Sequence, residues 1–362
     1  MSETSINTDL TVENRSSLGA MFWIGFYTFL LNIVTLTLFR FWGRTHFRRR
    51  LWADTHVGGE PLEYTGSGLE LFIGFLIAMV VLFVPYVGAI VSAQFFLPPV
   101  AAALMITVLY IGFFILIGIA LFLARRYHLS RTRYRGIRFA QTGSAVGYGF
   151  ATFGYGLLTA ITLGWFGPAM RIRLSRRIWN GAWFGSEQFA FVDTEDALKE
   201  PVYPSFAVAW IGGVIGYIAW IAAFAGLSGG FEELATGAPD VRFILMLYAT
   251  LIPFGLFIGL IVAWHETVMI RRIIKSLQVG GVSFSSRLST FDFIELTITN
   301  TLLIIFTLGV GVMPAQMRLW KRLANRMSLS GEIDFDAIRQ SEEKAPSTGE
   351  GLADGLDLVS NF

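Results

Sequence analysis

The stretch "FRFWGRTHFRRRLWADTHVGGEPLEYTGSG" occupies residues 39–68 and joins a basic-aromatic segment to a glycine-rich one. Five arginines lie within its first twelve residues, mixed with Phe and Trp. Such a segment is typical of three different structures: a nucleic-acid-binding patch, the cytoplasmic edge of a membrane protein, and a pocket for an anionic ligand. The composition and the pattern of the remaining chain distinguish these alternatives.

Composition predicts a membrane protein. The 362 residues are 54% hydrophobic and 15% charged, whereas a soluble domain has about 25% charged residues. The mean hydropathy is +0.58, and the formal net charge of +2 is too small to indicate a nucleic-acid-binding protein. The chain has no cysteine, which excludes disulfides, thiol catalysis and thiolate metal sites.

Four long uncharged runs each reach the roughly 20 residues that are needed to cross a bilayer core of about 30 Å. The first two are joined by "LPP" and the last two by a polar, acidic loop, so we predict two helical hairpins. The runs are residues 71–97, 100–124, 206–227 and 243–264.

Three further hydrophobic segments contain small or polar residues and each includes a Thr-Leu step, so we name them the Thr-Leu segments. They are residues 18–39, 146–167 and 293–313. A shift of 127 residues places Thr35 on Thr162 and "RRLW" on "RRIW", and a further shift of 145 places Thr162 on Thr307. Because the matches include Arg and Trp as well as apolar residues, we favour an internal repeat over chance similarity.

The predicted organisation has five parts. The polar start lacks the basic region of a secretory signal, and the acidic end is poor in aromatic residues, so both are predicted to be disordered tails. The parts are a tail at 1–17, a first membrane repeat at 18–141, a second at 142–287, a partial third at 288–330 and a tail at 331–362.

Two topologies agree with the hydrophobic segments. If all seven cross the membrane, 18 basic residues face one side and 10 the other. If only the four long runs cross and the Thr-Leu segments are re-entrant, 27 face one side and one faces the other. Lys and Arg concentrate in cytoplasmic loops, so the charge distribution favours four spans with both tails in the cytoplasm. The Thr-Leu segments are too short for two full crossings, but long enough for shallow re-entrant hairpins.

These residues resemble the bacterial YjgN family, which is also called domain of unknown function 898. The stretches "TLTLFRFWGRTHFRRRLW" and "GGEPLEYTGSGLELFIG" are similar to its first signature, and "YHLSRTRYRGIRFAQTGS" is similar to its second. The resemblance covers roughly residues 18–340, although Thr37 stands where the family pattern has Gly. It implies an integral inner-membrane protein, and it implies no activity, because none is established for the family.

No catalytic, cofactor-binding or metal site is predicted, and no enzyme activity. His265 and Glu266 begin like a zinc-protease helix, but the second His of that motif is missing. The middle of each long run lacks an acid or a base, which counts against a proton-coupled transporter. The four histidines lie at or near basic segments, where we expect them at the membrane interface.

The basic segments have two interpretations. They are explained by cytoplasmic topology with interfacial aromatic anchors, or by contacts to an anionic lipid or solute; nucleic acid is excluded as a partner because the clusters are split between helix ends. The candidate contact residues are Trp42, Arg44, Arg48, Arg49, Arg50, Arg131, Arg133, Arg171, Arg176, Arg177, Arg318 and Arg322.

We therefore predict an all-α, multi-pass inner-membrane protein with four long spans, three shorter Thr-Leu segments and small strand or hairpin elements at its cytoplasmic face. Two functional classes stay open. One is a transporter or channel-like protein, because repeats and broken helices are common in transporters. The other is a non-catalytic protein that organises the membrane or binds anionic lipids, with membrane lipids as its partners.

Overall fold

The computed structural model describes residues 10–228, 241–331, 335 and 338–340, and its centre is a closed barrel of short antiparallel strands. Each strand pairs with the next along the chain and the last pairs with the first, so the sheet has no free edge. In chain order the strands are β1 (Leu10–Asn14), β2 (Thr55–Val57), β3 (Glu60–Tyr64), β4 (Thr132–Tyr134), β5 (Ile137–Gln141), β6 (Ala182–Phe184), β7 (Glu187–Phe191), β8 (Leu277–Val279), β9 (Val282–Ser286) and β10 (Met327–Ser330).

The barrel shows that the predicted all-α fold class is wrong. Its strands are 3–5 residues long, so each carries too little alternation to stand out between helices of up to 34 residues. Closure also requires β1, which lies within the segment 1–17 that the sequence analysis assigned to a tail. Residues 1–9, 332–334, 336–337 and 341–362 of the two predicted tails lie outside the described residues. The repeat boundaries stay a prediction.

The helices leave the barrel as hairpin arms. They are α1 (Leu18–Val34), α2 (Arg40–Ala53), α3 (Gly68–Ala78), α4 (Val84–Phe96), α5 (Pro99–Arg131), α6 (Ala145–Ile161), α7 (Gly167–Trp179), α8 (Glu195–Leu198), α9 (Val202–Ser228), α10 (Val241–Ile274), α11 (Thr290–Phe306) and α12 (Val312–Asn325). A π-helical turn, Met79–Phe83, joins α3 to α4. Pro85 explains this wider turn, because it has no N–H to donate to the carbonyl group of Val81.

The connections of the barrel alternate between its two ends. Because the strands are antiparallel and follow the chain order, the tight turns share one end and the helical arms share the other. The turns are near Gly58, Gly136, Gly185 and Gly280, which have the positive φ angles of 53° to 75° that glycine tolerates well. We name these the turn end and the helical end; β1 starts and β10 finishes at the turn end.

Aromatic and aliphatic side chains fill the middle of the barrel. Phe139 and Phe184 have ring centroids 4.9 Å apart, and Phe189 and Phe284 lie 6.3 Å apart. The middle layer consists of the register pairs Val12 with Val57, Leu62 with Tyr134, Phe139 with Phe184, Phe189 with Val279, and Phe284 with Leu329. The interior is therefore a packed core, as in other small barrels, and not an open channel.

Four helical stretches in the described residues are long and apolar enough to cross a membrane. They are Gly68–Phe96, Pro99–Arg131, Glu195–Leu227 and Phe243–Ile274, and they contain nearly all residues of the four predicted runs. The second hairpin is packed through small residues: a β-carbon on Gly216 would collide with Phe257, and one on Gly212 would lie 3.2 Å from Ile261. These four helices indicate that the protein is located in a membrane.

Each Thr-Leu segment forms an arm that leaves the helical end of the barrel and returns to it. The arms are α1 with α2, α6 with α7, and α11 with α12; each outgoing helix has 17 residues, or about 25 Å at 1.5 Å per residue. This is less than the hydrocarbon thickness of about 30 Å.

The three turns of these arms share one conformation, which explains the Thr-Leu step. Thr35, Thr162 and Thr307 each donate a hydroxyl hydrogen bond to the carbonyl oxygen four residues earlier, at 2.6–2.8 Å. Each hydroxyl also accepts from the backbone N–H four residues later, at 2.7–3.0 Å. One side chain thus caps the end of the outgoing helix and the start of the returning one. The internal repeat itself stays a prediction.

The turn also requires two consecutive residues with positive φ. Leu36, Leu163 and Leu308 have φ of 49–50°, and the next positions have φ of 71–95°. Gly164 and Gly309 suit the second position, whereas the first arm has Thr37 there. A β-branched residue with φ of 71° is strained, so the departure at Thr37 has a structural cost.

Candidate anion-binding site

Four basic side chains lie near one another at the helical end of the barrel. Arg44 and Arg48 lie four residues apart on α2, and Arg125 and His128 lie three apart on α5, so each pair shares a helix face. The three guanidinium groups all lie close enough to the His128 ring to interact with it electrostatically. We name these four residues the basic cluster.

Packing between the arms positions the basic cluster. Phe41 of α2, Leu71 of α3 and Tyr127 of α5 form one buried apolar cluster, which holds α2 against α5. Trp52, near the end of α2, donates an indole hydrogen bond to Thr132 at 3.1 Å. The arginines therefore sit on helices whose separation is set by contacts on both sides of them.

Arg125 is the side chain of the cluster with the clearest capacity for a ligand. Its guanidinium carbon lies 4.4 Å from the centroid of the Trp179 ring of α7, a cation–π contact. Its Nε and Nη2 atoms are buried and have no hydrogen-bond partner among the described residues. Buried donors are normally satisfied, and an anion that accepts from both atoms would satisfy them.

Aromatic rings line the cluster on the α5 side. The His128 ring centroid lies 6.4 Å from that of Tyr64 and 5.8 Å from that of Tyr127. The Tyr127 hydroxyl donates to Glu70 at 2.9 Å, and Glu70 forms an ion pair with Arg131 at 3.0 Å. The Glu70 carboxylate is thus already engaged by two donors outside the basic cluster.

Basic residues of α7 and of the second hairpin are neutralised by acids within the protein. Arg171 donates to both carboxylate oxygens of Glu266 at 2.8 Å. Asp193 bridges Arg176 and Arg272. Glu200, whose side chain is buried, pairs with Arg271 at 2.8 Å and with Lys275 at 2.7 Å. These ion pairs hold together different elements of the same chain.

The third Thr-Leu arm is neutralised in the same way. Asp292 pairs with Arg322 at 2.5 Å and with Arg326 at 3.1 Å, and Glu295 pairs with Arg322 at 2.7 Å. Burial opposes ionisation of Asp292, but hydrogen bonds from Ser289, Arg322 and Arg326 outweigh it and hold the pKa of this carboxyl at about 2.

The structure thus brings together only two of the predicted contact residues, Arg44 and Arg48, in the basic cluster. Six of the others have a carboxylate partner, while Arg49 and Arg177 donate to the backbone carbonyl groups of Gly66 and Gly147. Trp42 packs on Phe72, and Arg133 is exposed on the outer face of the barrel. The six with a carboxylate partner are Arg50, Arg131, Arg171, Arg176, Arg318 and Arg322.

Sequence reasoning missed Arg125 as a candidate and placed His128 only at the interface. Their spacing of three residues near the end of a long apolar run was the available signal. It could not show that α5 faces Arg44 and Arg48, because that contact depends on the strand order of the barrel.

Away from the basic cluster, one buried serine and one buried histidine have the side chains of a nucleophile and a base. Ser205 and His265 are both buried, and the Ser205 hydroxyl lies 3.1 Å from Nδ1 of His265. The hydroxyl donates to the carbonyl oxygen of Val202 at 2.9 Å, so its own proton is not directed at the imidazole. This geometry fits a helix-to-helix contact and not an activated serine. Within the described ranges, no group of three or more His, Asp or Glu side chains is arranged to hold a metal ion.

Comparison with known proteins places the chain in a family. The model of a family described as "Bacterial protein of unknown function (DUF898)" matches residues 10–355. The chain belongs to this family. The DUF898 match includes the barrel strands, the four long helices and the basic cluster, so these features lie within the family's region. Neither the curated proteins nor the solved structures include a match to this DUF898 chain.

Proposed function

We propose that this protein is a non-catalytic inner-membrane protein that binds anionic lipid headgroups at the basic cluster. The observation that carries the proposal is the uneven neutralisation of its arginines. Acids pair with basic residues of α7, the second hairpin and the third arm, whereas Arg125 retains two buried donors without a partner among the described residues. Guanidinium groups form strong hydrogen bonds with phosphate oxygens, which supports a phosphate-bearing ligand.

The position of the basic cluster along α5 supports a lipid headgroup as its ligand. Helix α5 has 33 residues and is about 50 Å long, so about 20 Å of it extends beyond a hydrocarbon core of about 30 Å. Arg125 lies six residues before the end of α5, or about 9 Å from the barrel. With the barrel outside the bilayer, this part of α5 lies at the depth of the headgroups.

The Thr-Leu arms support a membrane-organising role. Their tips carry Leu36, Leu163 and Leu308, whose side chains are 84%, 73% and 84% exposed. Exposed leucines at the ends of short arms are suited to insertion into one leaflet. The basic helices α2, α7 and α12 return from these tips to the barrel, so their arginines pass through the headgroup layer.

The barrel and both ends of the chain are proposed to face the cytoplasm of a bacterial cell. With four spans, 27 of the 28 basic residues lie on the barrel side of the membrane. An excess of Lys and Arg in short loops marks the cytoplasmic side. The turn end, which contains the start of β1 and the end of β10, then points away from the membrane.

Transport is the weaker of the two functions considered. The re-entrant arms agree with it, but the middle layer of the barrel is packed with Phe, Val, Leu and Tyr side chains. A solute would therefore have no route through the barrel, and the long runs carry no ionisable residue at their middle.

Native mass spectrometry with titrated lipids tests the proposal. The variant Arg48→Gln/Arg125→Gln removes two cluster charges, and Arg133→Gln/Arg287→Gln removes two exposed charges elsewhere as a matched control. At about 1 kcal/mol per arginine, the cluster variant should bind phosphatidylglycerol about 30-fold more weakly than the wild type. The control should bind within about two-fold of it. Equal binding by all three proteins would contradict the proposal.

Two further experiments distinguish a lipid ligand from a soluble anion. Inorganic phosphate at millimolar concentration should not displace phosphatidylglycerol from the wild type, because the acyl chains contribute to lipid binding. Phosphate flux into proteoliposomes should equal that of protein-free vesicles. Displacement by phosphate together with saturable flux would instead establish the transporter interpretation.

A further inference from the structure

A short segment near the C-terminus is docked on the turn end of the barrel. Ile338 is 8% exposed and belongs to the same buried cluster as Tyr134, Phe184 and Phe189. Phe335 packs edge-on against Tyr134, with ring centroids 5.7 Å apart, and the Arg135 guanidinium carbon lies 4.6 Å from the Phe335 ring centroid. Two apolar side chains three residues apart thus enter the region between two barrel turns.

Polar groups of both turns complete this contact. The Gln340 carboxamide accepts from the backbone N–H of Arg138 at 2.8 Å and donates to the carbonyl oxygen of Gly136 at 3.1 Å. The Arg339 N–H donates to the Ser186 hydroxyl at 3.3 Å. The Gln340 amide therefore matches both hydrogen-bonding groups that the β4–β5 turn presents.

The receiving surface is shaped for a close approach of another backbone. A β-carbon on Gly185 would collide with the Arg339 carbonyl oxygen and would lie 2.6 Å from the Ile338 side chain. Glycine at this position removes that obstacle, and its φ of 58° also suits the turn between β6 and β7. The docked segment and the turn therefore fit each other at backbone level.

The barrel does not need this segment in order to close. Its ten strands end at Ser330, and β10 pairs with both β9 and β1, so the cylinder is complete before Phe335. The described residues of the segment, 335 and 338–340, add no strand to the sheet. It is bound to the surface of a finished barrel in the way that a peptide ligand binds to a domain.

We propose that the turn end of the barrel is a peptide-docking site, and that Phe335 and residues 338–340 of this chain occupy it as a displaceable latch. The site takes a peptide with an aromatic residue, a β-branched residue three positions later and Gln two positions after that. The aromatic residue contacts Tyr134 and Arg135, the β-branched one fills the space above Gly185, and the Gln binds the β4–β5 turn. This proposal rests on contacts at the opposite end of the barrel from the basic cluster and is independent of lipid binding.

A binding measurement on the full-length chain tests the latch. The probe is a fluorescent peptide of residues 333–342, "IDFDAIRQSE", with a scrambled peptide as its control. The variant Phe335→Ala/Ile338→Ala releases the protein's own segment, and Leu352→Ala/Leu356→Ala removes two apolar side chains outside the motif. Since a tethered segment competes at a high effective concentration, the latch variant should bind the probe at least 10-fold more tightly than the wild type. The control variant should bind like the wild type.

The other outcomes overturn the proposal or assign a different source of the segment. If the latch variant keeps a cooperative thermal transition but does not bind the probe, the segment is only part of the barrel core. If wild type and latch variant bind the probe equally, residues 335–340 do not occupy the site, and the proposal fails. If the double variant does not fold, Gln340→Ala replaces it, since it removes only the amide contacts; the same comparison then applies. A dimeric wild type that becomes monomeric in the latch variant would show that a second copy supplies the segment, which contradicts docking within one chain.

Discussion

The guanidinium carbon of Arg125 lies 4.4 Å from the centroid of the Trp179 ring, although the two residues belong to different arms of the protein. Arg125 is on the long apolar helix α5, and Trp179 ends the returning helix of the second Thr-Leu arm. The barrel brings them together because β4 and β5, which follow α5, adjoin β6, which follows α7. The contact holds the buried Nε and Nη2 atoms of Arg125 in the basic cluster.

The strained turn of the first arm predicts a stabilising substitution. Thr37 has φ of 71°, whereas Gly164 and Gly309 occupy the corresponding positions of the other two arms. Thr37→Gly should raise the free energy of unfolding by about 1 kcal/mol, because it removes the left-handed strain of a β-branched residue. Thermal unfolding in detergent measures this change. The reciprocal control Gly164→Thr should be destabilising by a similar amount, and a destabilised Thr37→Gly would contradict the account of the turn.

The hydroxyl that joins the two helices at each Thr-Leu turn predicts a difference between Thr307, which follows α11, and Thr299, which lies inside it. Thr307 donates to Leu303 and accepts from the N–H of Gly311, whereas Thr299 donates to Glu295 in the manner of an ordinary helical threonine. Thr307→Val should cost about 1 kcal/mol more stability than Thr299→Val, since it leaves the Gly311 N–H without its acceptor. Chemical denaturation of the two variants gives this comparison. Equal losses would mean that the threonine does not join the two helices.

From the packing of the second hairpin, we expect Gly213 and Gly216 to differ in their tolerance of a side chain. A β-carbon on Gly216 would collide with Phe257, while one on Gly213 would have open space around it. Gly216→Val should lower the free energy of unfolding by about 1–3 kcal/mol through overpacking. Gly213→Val tests the same change in helix propensity without the clash and should be nearly neutral. A similar loss of thermal stability in both variants would show that the two helices do not meet at Gly216.

The ion pairs of the third arm predict a pH dependence of stability. The pKa of Asp292 is about 2 in the folded protein, below the 3.8 that is usual for an aspartate, so the folded state favours the ionised carboxylate. Its contribution, about 2 kcal/mol, is present above pH 4 and is lost as the pH falls toward 2. Asp292→Asn should remove this part of the acid sensitivity.

Unfolding midpoints between pH 3 and pH 7 give the measurement for Asp292. The difference in stability between the wild type and Asp292→Asn should shrink as the pH falls. Asp196→Asn is the control, because its carboxylate pairs with Lys199 in a solvent-exposed contact. If the difference between the wild type and Asp292→Asn stayed constant over this range, the proposed ion pairs would not stabilise the fold.

The membrane helices could be predicted from the sequence because their signal is local. Runs such as 100–124 are uncharged over a bilayer thickness, and Pro99 marks the start of α5. Small strand or hairpin elements were predicted, but their closure into one barrel was not, because strands of three residues such as Thr55–Val57 have too little alternation to indicate how they pair. Their pairing is long-range: β1 pairs with β10, more than 300 residues away in sequence.

The candidate site could be predicted only in part, because its contacts also join residues that are far apart in sequence. Arg44 and Arg48 were among the predicted contact residues, but several of the other predicted arginines pair with distant acids. Arg171 pairs with Glu266, which is 95 residues away, and Arg271 pairs with Glu200, which is 71 residues away. Neither pair has a local spacing signal, so all the basic segments looked alike in the sequence.

The most direct test of the proposed lipid site is a cryo-electron microscopy map of the protein in nanodiscs that contain phosphatidylglycerol. We expect phosphate density within about 4 Å of the Arg125 guanidinium group, between α2 and α5 and at the depth of neighbouring headgroups. The same density should be missing from the Arg48→Gln/Arg125→Gln variant. A map in which anionic headgroups lie on the exposed arginines of the barrel while the Arg125 site stays empty would contradict the proposal.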